Sequence, residues 1–378
     1  MNIYEKSATI RFRERSLYIT NQKGVARIAS ILDIAKLAGV SKTTVSKVLN
    51  NQYGVHEETR KKVWEAAAAL RYTPNIAARA LVTSRTNVIG VVYDSFDSPI
   101  YTGMAGELEH WAKEMSYHLV FCSCNLSQAS KRHYIQHFMG GAADGVILYG
   151  SSGEDYEIIK LLMESGYPFV VIENHFEHLE IPNVLVDNYS GAVEAVQYLY
   201  NLGHREIVHI TGNLQHRVAV DRRKGYLDAM NRLRLEVTDG SIIETDGSIG
   251  CGEQAANRLL ERPVLPTALF VFNDLIAYEM MDRLEQAGIG VPDKISIVGF
   301  DHLIGLLSFK PGRLALTSLA QPLEEVARAA VEIVIADVDS RQNADRIEKT
   351  GASQSVPAAR LFAPKLWEGN SCRRLEGK

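Results

Sequence analysis

Polar side chains at helical spacing stand out near the amino end of the chain: Lys42, Thr43, Ser46 and Lys47. They lie in the segment SKTTVSKVLN, in which valine and leucine recur three and four positions apart. A helix with this pattern buries its apolar stripe and presents the lysines and hydroxyls together on the other face. Such groups donate hydrogen bonds to base edges in a major groove and to phosphates. The pattern therefore indicates a DNA-contacting helix. The alternative is an ordinary helical hairpin with a solvated basic face.

Two further helices and a tight turn must position that face. The preceding segment, ILDIAKLA, has the same apolar spacing, and Gly39 suits a turn that needs positive φ. The Ser41 hydroxyl is placed to cap the second helix. A third helix is predicted from Glu57 to Leu70, with its apolar residues facing the first two. These elements predict a three-helix helix-turn-helix headpiece over residues 31–73.

The segment RYTPNIAARAL follows the headpiece, within a predicted connection over residues 74–86. Asn75 can cap a helix of about six residues that ends at Leu81, which is too short to be stable alone. Arg79 and Leu81 suit a helix that folds on a DNA minor groove, with the leucine wedged between base steps. A plain linker is the other interpretation.

The remainder of the chain alternates β-branched runs with helical stretches, which predicts βαβ units. The runs are VIGVVY, HLVFCSC, DGVILY, FVVIE, NVLVD, EIVHITG, ALFVFND and ISIVGFD. We therefore predict an α/β class body with two doubly wound parallel sheets, each forming one lobe. The late segment RLFAPKLW is expected to cross between the lobes, and residues 339–355 are predicted to form a loop.

Composition and charge narrow the possible partners. The 378 residues exceed the size of a single core, so several domains are expected. No apolar run of membrane-spanning length and no secretory leader is evident, and the four cysteines form no ladder. We therefore expect a cytoplasmic protein that contacts no membrane. Residues 87–378 carry 26 basic and 39 acidic side chains, a net charge of -13, whereas residues 1–30 carry +4 and residues 31–86 carry +5. A basic module on an acidic body suits a polyanion partner.

No chemistry of catalysis is evident in the sequence. Asp187 and Asp221 lack a spaced partner or a nearby nucleophile motif. The glycines of GSIGCG do not have the spacing of a phosphate-binding loop. We predict no catalytic residue, no metal and no cofactor.

Residues 1–30 precede the first packed element. Arg11, Arg13 and Arg15 alternate there with other residue types, but no sustained periodicity is evident. We expect this extension to be disordered. A basic arm that acts on DNA and a start-site artefact are both open interpretations.

The chain resembles the lactose-repressor and purine-repressor family of bacterial regulators from about Ile31 to Cys372. The matching segments stand in the family's order: DIAKLAGVSKTTVSKVLN, YTPNIAARAL, IGVV, ADGVIL, VDNYSGA, LGHREIVHITG, RRKGYLDAM, FVFNDLIAYEMM, ISIVGFD and LTSLAQPLEE. The resemblance implies a headpiece, a hinge helix and a two-lobed core built like periplasmic sugar-binding proteins. It also implies a homodimer on near-palindromic double-stranded operator DNA.

Particular residues follow from this resemblance. Lys42, Thr43 and Lys47 lie where the family reads bases, and Ala78 and Leu81 lie where hinge helices enter the minor groove. The complete DNA-contacting set that we predict is Ser41, Lys42, Thr43, Thr44, Ser46, Lys47, Asn50, Asn75, Ala78, Arg79 and Leu81. Lys47 replaces the family's usual arginine and lacks its bidentate fork. His56 replaces the usual hydroxyl cap of the third helix.

The resemblance also places an effector site between the lobes. Arg222, Asn273 and Asp301 lie at or just after strand ends, where ligands of open α/β sheets collect. Glu173, Ile100 and Tyr101 match further effector-facing positions. Salt bridging between the lobes is the alternative role for Arg222, Asn273 and Asp301. The sequence has TDGS where some sugar-responsive members carry a tryptophan, which argues against hexose stacking at that wall.

We therefore predict a sequence-specific DNA-binding transcription regulator, most simply a repressor, controlled by a small molecule such as a sugar or nucleobase. The alternatives are the same regulator triggered by a protein partner, and a sugar-binding protein that does not act on DNA. The expected first lobe spans residues 87–187 and 320–340, and the second spans 188–319 and 356–370. No heptad tail follows Trp367, which favours a dimer over a tetramer.

Overall fold

The computed structural model divides the chain into two compact units, residues 1–84 and 85–378. It describes residues 9–13, 16–20, 26–27, 29–49, 52–72, 80, 83, 85–95, 99–150, 152–176, 178–303, 314–344 and 359–375. Within these residues no helix combines the length and apolarity needed to cross a bilayer.

The first unit contains the three predicted helices, α1 (Ile31–Ala38), α2 (Lys42–Leu49) and α3 (Glu57–Ala69). Their apolar stripes meet in one small core. Its fully buried members are Ile34, Val45, Val48 and Val63. A core of this kind holds helices that are individually too short to be stable. The headpiece prediction is confirmed for this part of the chain.

The extension before the headpiece differs from the prediction. It contains three short antiparallel strands, β1 (Thr9–Arg13), β2 (Ser16–Thr20) and β3 (Ala26–Arg27). The expectation of disorder is therefore wrong for these residues. The missed signal is the alternation of apolar and polar residues in TIRFR and SLYIT, which has the period of a strand.

The second unit contains two six-stranded sheets, as the alternating pattern predicts. The strands of the first sheet are β4 (Val88–Tyr93), β5 (His118–Ser123), β6 (Gly145–Tyr149), β7 (Phe169–Ile172), β8 (Asn183–Val186) and β14 (Ala359–Phe362). Their order in the sheet is β14-β8-β7-β6-β4-β5, and all of them are parallel.

The strands of the second sheet are β9 (Ile207–Thr211), β10 (Ile242–Glu244), β11 (Ala268–Val271), β12 (Ser296–Asp301), β13 (Thr317–Ala320) and β15 (Lys365–Trp367). Their order in the sheet is β10-β9-β11-β12-β13-β15, and β15 alone runs antiparallel to its neighbour β13.

Helices bury both faces of each sheet, which is why the central strands are apolar throughout. The helices are α4 (Pro99–Glu114), α5 (Gln128–His137), α6 (Tyr156–Ser165), α7 (Asn188–Asn201), α8 (Arg217–Arg232), α9 (Cys251–Leu260), α10 (Asp274–Gln286) and α11 (Leu323–Ala344). Helix α11 continues to Ala344, so the loop predicted from residue 339 begins too early. An ion pair between Arg341 and Asp337, one helical turn apart, supports this last turn.

The chain passes between the two sheets three times. It leaves the first sheet after β8 into α7, returns after β13 into α11, and crosses again between β14 and β15. The prediction that 356–370 belongs wholly to the second lobe is wrong, because β14 pairs with β8 of the first sheet. Pro364 lies between β14 and β15 and cannot donate to a ladder, so one apparent strand becomes two.

A glycine sets the close approach of α7 and α8 in the second lobe. A Cβ atom on Gly225 would lie 2.3 Å from the carbonyl oxygen of Tyr189 and 2.8 Å from the Cβ atom of Ala192. The helices must therefore separate to accept any side chain at this position. Because Asn188 lies next to this contact, the spacing also positions the site described below.

We expect Gly225→Ala to lower the free energy of unfolding by about 1–3 kcal/mol, the usual cost of overpacking. Gly106→Ala on α4 is the matched control, since nothing lies within 4 Å of a Cβ atom there. It should be neutral or stabilising by about 0.5–1 kcal/mol, because glycine is unfavourable inside helices. Urea unfolding of the two variants tests the point, and equal stabilities would contradict it.

Candidate functional site

The turn between α1 and α2 has the geometry that its residues predict. Gly39 adopts φ +66° and its N–H donates to the carbonyl oxygen of Ala35, which ends α1. The Ser41 Oγ accepts a hydrogen bond of 3.0 Å from the N–H of Thr44, which caps α2. By contrast, His56 makes no side-chain cap at the start of α3. The turn thus fixes the orientation of α2 against α1, and one face of α2 stays exposed outside the core.

That face carries the predicted DNA-contacting residues. Lys42, Thr43 and Lys47 are exposed, whereas Val45 and Val48 are fully buried on the opposite side. Ser41 is also exposed, and Thr44 and Ser46 are half-buried beside them. Asn50, Asn75, Ala78, Arg79 and Leu81 lie outside the described residues. The arrangement can place two ammonium groups and several hydroxyls against a nucleic-acid groove.

A second polar site lies at the carboxyl ends of strands in the second unit, centred on Arg222 of α8. The Arg222 side chain is buried and its Nη1 donates to the carbonyl oxygen of Phe272 at 2.5 Å. Its Nη2 lies 3.4 Å from Oδ1 of Asp301, at the end of β12. The guanidinium carbon also lies 3.6 Å from the ring centroid of Phe300. The buried cation is therefore matched by a carboxylate, a carbonyl and an aromatic face.

An amide connects this cluster to the first lobe. The Asn188 Oδ1 accepts 2.8 Å from Nε of Arg222, and its Nδ2 donates 3.0 Å to Oε2 of Glu173. Glu173 follows β7 and its Oε1 also accepts from the N–H of Val186. At the other end, Nε2 of Gln321 donates 2.6 Å to Oδ1 of Asp301. We call the set Glu173, Asn188, Arg222, Asp301 and Gln321 the interlobe network, because its hydrogen bonds run continuously from one lobe to the other.

Burial governs the electrostatics of this network. Desolvation raises the pKa of Glu173 to about 7, against the lowering effects of Arg222 and the hydrogen bond from Asn188. It also raises the pKa of Asp301 and lowers that of Arg222, each opposed by the charge of the other. Burial likewise raises the pKa of Tyr101 and Tyr149, which lie within electrostatic range of both carboxyl groups. Water does not screen the charges of these buried groups. A ligand that replaces one hydrogen-bond partner therefore changes the electrostatic energy of the remaining groups of the network.

Two of the carboxyl residues have unusual backbone conformations. Glu173 has φ +65°, and Asp301 has φ +102° and is followed by His302 at φ +59°. Non-glycine residues rarely occupy these regions, and such strain is concentrated at functional sites. With these backbone conformations the Asp301 carboxyl group contacts Arg222, and the Glu173 carboxyl group contacts Asn188 and the N–H of Val186.

The structure brings together four of the six predicted effector residues: Tyr101, Glu173, Arg222 and Asp301. Asn273 instead caps α10, since its Oδ1 accepts from the N–H of Ile276 at 3.0 Å. Ile100 is buried at the start of α4. The ion pair between Arg222 and Asp301 joins residues of one lobe, so it is not the salt bridge between lobes considered as an alternative.

Sequence reasoning missed three members of the site. Asn188, Gln321 and Tyr149 each lie at or directly after the carboxyl end of a parallel strand, where ligand sites form. Their position after a strand is therefore the feature from which all three could have been predicted. In the case of Asn188, the neighbouring Asp187 is the more conspicuous polar residue, but it caps α7 by accepting from the N–H of Ser190.

Comparison with known proteins bears on both sites. A family model described as bacterial regulatory proteins, lacI family, matches residues 30–75, and a periplasmic binding protein-like domain matches residues 196–355. The HTH-type transcriptional regulator DegA of Bacillus subtilis is 34% identical over 300 residues, covering 79% of this chain and 88% of that protein. The chain belongs to the lacI family of bacterial regulatory proteins. As a member, it is a DNA-binding transcription regulator whose α/β unit is the effector-binding domain.

Other relatives agree with this lacI-family assignment. Catabolite control protein A of Priestia megaterium is 31% identical, covering 81% of this chain and 91% of that protein. A crystal structure of the lac repressor dimer bound to operator and the anti-inducer ONPF shares the fold. Its TM-score is 0.79 at 22% identity, covering 92% of this chain and 100% of that one.

The raised pKa of Glu173 predicts a pH-dependent stability. The native state holds a proton that the unfolded chain releases near pH 4.5, so this contribution is present at low pH and is lost as pH rises through about 7. Between pH 5 and 7 the free energy of unfolding should therefore fall by up to about 1.4 kcal/mol per pH unit. Glu173→Gln should remove this slope. Urea unfolding of both proteins across pH 5–8 measures it, and parallel curves would contradict the assignment.

Proposed function

We propose that this chain represses transcription as a cytoplasmic homodimer on near-palindromic operator DNA, and that a small effector bound at the interlobe network sets its operator affinity. The observation that carries the proposal is the continuous buried hydrogen-bonded path from Glu173 of the first lobe to Asp301 of the second. We further propose that the protein is not an enzyme, because the carboxyl groups of Glu173 and Asp301 already accept hydrogen bonds from other residues.

Operator recognition rests on the exposed face of α2. Lys42 and Lys47 supply charge to phosphates or to guanine edges, and Thr43 supplies a hydroxyl. Ser41, Thr44 and Ser46 flank this face, and the predicted hinge residues Asn75, Ala78, Arg79 and Leu81 would add minor-groove contacts. A lysine at position 47 makes one contact with a base where an arginine makes two, so a half-site is read less strictly there.

Effector control rests on the network. A ligand that hydrogen-bonds to Arg222, Asp301 and Glu173 replaces bonds that hold the two lobes in one arrangement. It therefore binds one arrangement better than another and shifts the population between them. The rings of Tyr101 and Tyr149 pack edge to face with their centroids 4.9 Å apart and lie within electrostatic range of the Glu173 and Asp301 carboxyl groups, which suits a ligand with both polar edges and apolar faces. The six predicted effector residues remain our candidates, with Asn188, Gln321 and Tyr149 added.

Fluorescence anisotropy on the palindromic sequence upstream of the gene tests the proposal, with pools of sugars and nucleobases added in turn. We expect tight, sequence-selective binding that one pool shifts. Binding that no pool shifts would favour a protein trigger over a small molecule. Loss of selectivity at every salt concentration would contradict operator recognition itself.

The role of α2 can be tested with Lys42→Ala in the same assay. If Lys42 contacts a base, its loss should weaken operator binding by about 1–3 kcal/mol. If it contacts a phosphate, its loss should reduce by about one the slope of the logarithm of the binding constant against the logarithm of salt concentration. Lys160→Ala removes the same charge from an exposed site on α6 and should leave both quantities unchanged. Equal effects of the two variants would mean that only net charge matters.

A further inference from the structure

The extension before the headpiece forms a sheet with one polar and one apolar face. Strands β1 and β2 pair in antiparallel register, and β3 pairs with β2. The polar pairs are Thr9 with Thr20, Arg11 with Tyr18 and Arg13 with Ser16, and the apolar pairs are Ile10 with Ile19 and Phe12 with Leu17. Paired residues of an antiparallel sheet lie on the same face, and successive residues of a strand alternate between the faces. The register therefore places two arginines and a tyrosine together on one face.

This sheet concentrates positive charge. Residues 9–27 carry five basic side chains and one acidic side chain, a net charge of +4. Arginine donates two parallel hydrogen bonds to a phosphate group, and tyrosine hydroxyls also contact phosphate oxygens in protein–DNA complexes. The polar face therefore has the residue types of a phosphate-binding surface.

The sheet is tethered closely to the helix-turn-helix. Three residues separate β3, which ends at Arg27, from α1, which begins at Ile31. An extended chain of that length spans at most about 14 Å. The start of α1 is itself fixed, because the N–H and Oγ of Ser30 both donate to Oδ2 of Asp33. Since the first helix of a helix-turn-helix crosses the DNA backbone, the tether keeps the sheet near the phosphates that flank the α2 contacts.

Two acidic partners compete for this positive charge, the second unit of the chain and DNA. Residues 87–378 carry a net charge of -13 over their whole length. Double-stranded DNA carries one negative charge per about 1.7 Å of its axis, which is a far denser array. The sheet also belongs to the same compact unit as the headpiece. Both observations favour DNA as the partner.

We propose that the extension is a second DNA-contacting element, in which Arg11 and Arg13 bind phosphates beside each operator half-site. The lacI-family model matches from residue 30 onward, so this element lies outside the matched headpiece. Phosphate contacts carry no sequence information, and the extension therefore raises the affinity for operator and non-operator DNA alike. The inference rests on the proposed operator binding through α2 and extends the contacts beyond the half-site.

Anisotropy titrations at several salt concentrations test the proposal with the full-length double variant Arg11→Gln with Arg13→Gln. Each phosphate contact contributes about 0.9 to the slope of the logarithm of the binding constant against the logarithm of salt concentration, so the slope should fall by about two. Between about 50 and 200 mM salt, the native protein should therefore lose about tenfold more affinity than the variant. The ratio of operator to non-operator affinity should stay unchanged, because phosphate contacts do not discriminate between sequences.

Two control variants remove positive charge elsewhere. Lys160→Gln with Lys294→Gln removes two charges from exposed positions of the second unit and should leave the slope unchanged. Arg27→Gln removes one charge from the sheet itself, but Arg27 pairs with Ile19 and so lies on the face of the apolar pairs. It should also leave the slope unchanged. An equal loss of slope per charge in all three variants would overturn the assignment to the polar face.

Hydroxyl-radical footprinting locates the contacts along the DNA backbone. The native protein should protect backbone positions outside each half-site, and the variant with Arg11→Gln and Arg13→Gln should lose this outer protection alone. Protection of the half-site guanines from methylation should be the same in both proteins, because α2 is unchanged. Outer protection that persists in the variant would contradict the proposal.

The remaining outcomes separate this inference from the proposed function. Unchanged slope and footprint in the double variant, with selective operator binding intact, would remove the extension contact and leave operator recognition by α2 standing. Tighter operator binding by the double variant would mean that the sheet contacts the acidic second unit instead of DNA. Absence of selective operator binding by the native protein would remove both proposals.

Discussion

Burial of the Arg222 guanidinium is the constraint on which the effector domain depends. The side chain is 2% exposed, and a cation in such a position must be matched by partners. Asp301, Asn188, the carbonyl oxygen of Phe272 and the Phe300 ring supply them. Removing a single partner of a buried ion pair costs about 3–5 kcal/mol, so the strands that carry these groups are held at fixed positions.

The network is also joined to the segments that connect the lobes. Asn188 is the first residue of α7, and Gln321 lies between β13 and α11, so two of the three crossings carry a network residue. Any change in the angle between the lobes must therefore alter the bonds of Asn188 or Gln321. This placement explains how a ligand that binds a few polar groups of the network can change the angle between the two lobes.

Much of this architecture was predictable from patterns in the chain. Buried parallel strands appear as apolar runs, and polar residues such as Glu173 and Asp301 appear where those runs end. The headpiece was predictable because Gly39 and Ser41 have specific roles at a turn and a cap. Local periodicity does not predict, however, which segments far apart in the sequence pair with each other. The pairing of β14 with β8 depends on tertiary packing, and so does the hydrogen bond between Asn188 and Arg222. The strands of the extension were missed for a different reason, because their alternation extends over only five residues each.

Effector response in a variant that lacks the central ion pair tests the account most directly. Arg222→Met with Asp301→Asn removes both charges together, and asparagine tolerates the positive φ of position 301. The measured quantity is operator affinity with and without the ligand that shifts the native protein. The account predicts a folded protein whose operator affinity does not change when the ligand is added. A native response in this variant would show that the network does not transmit the signal.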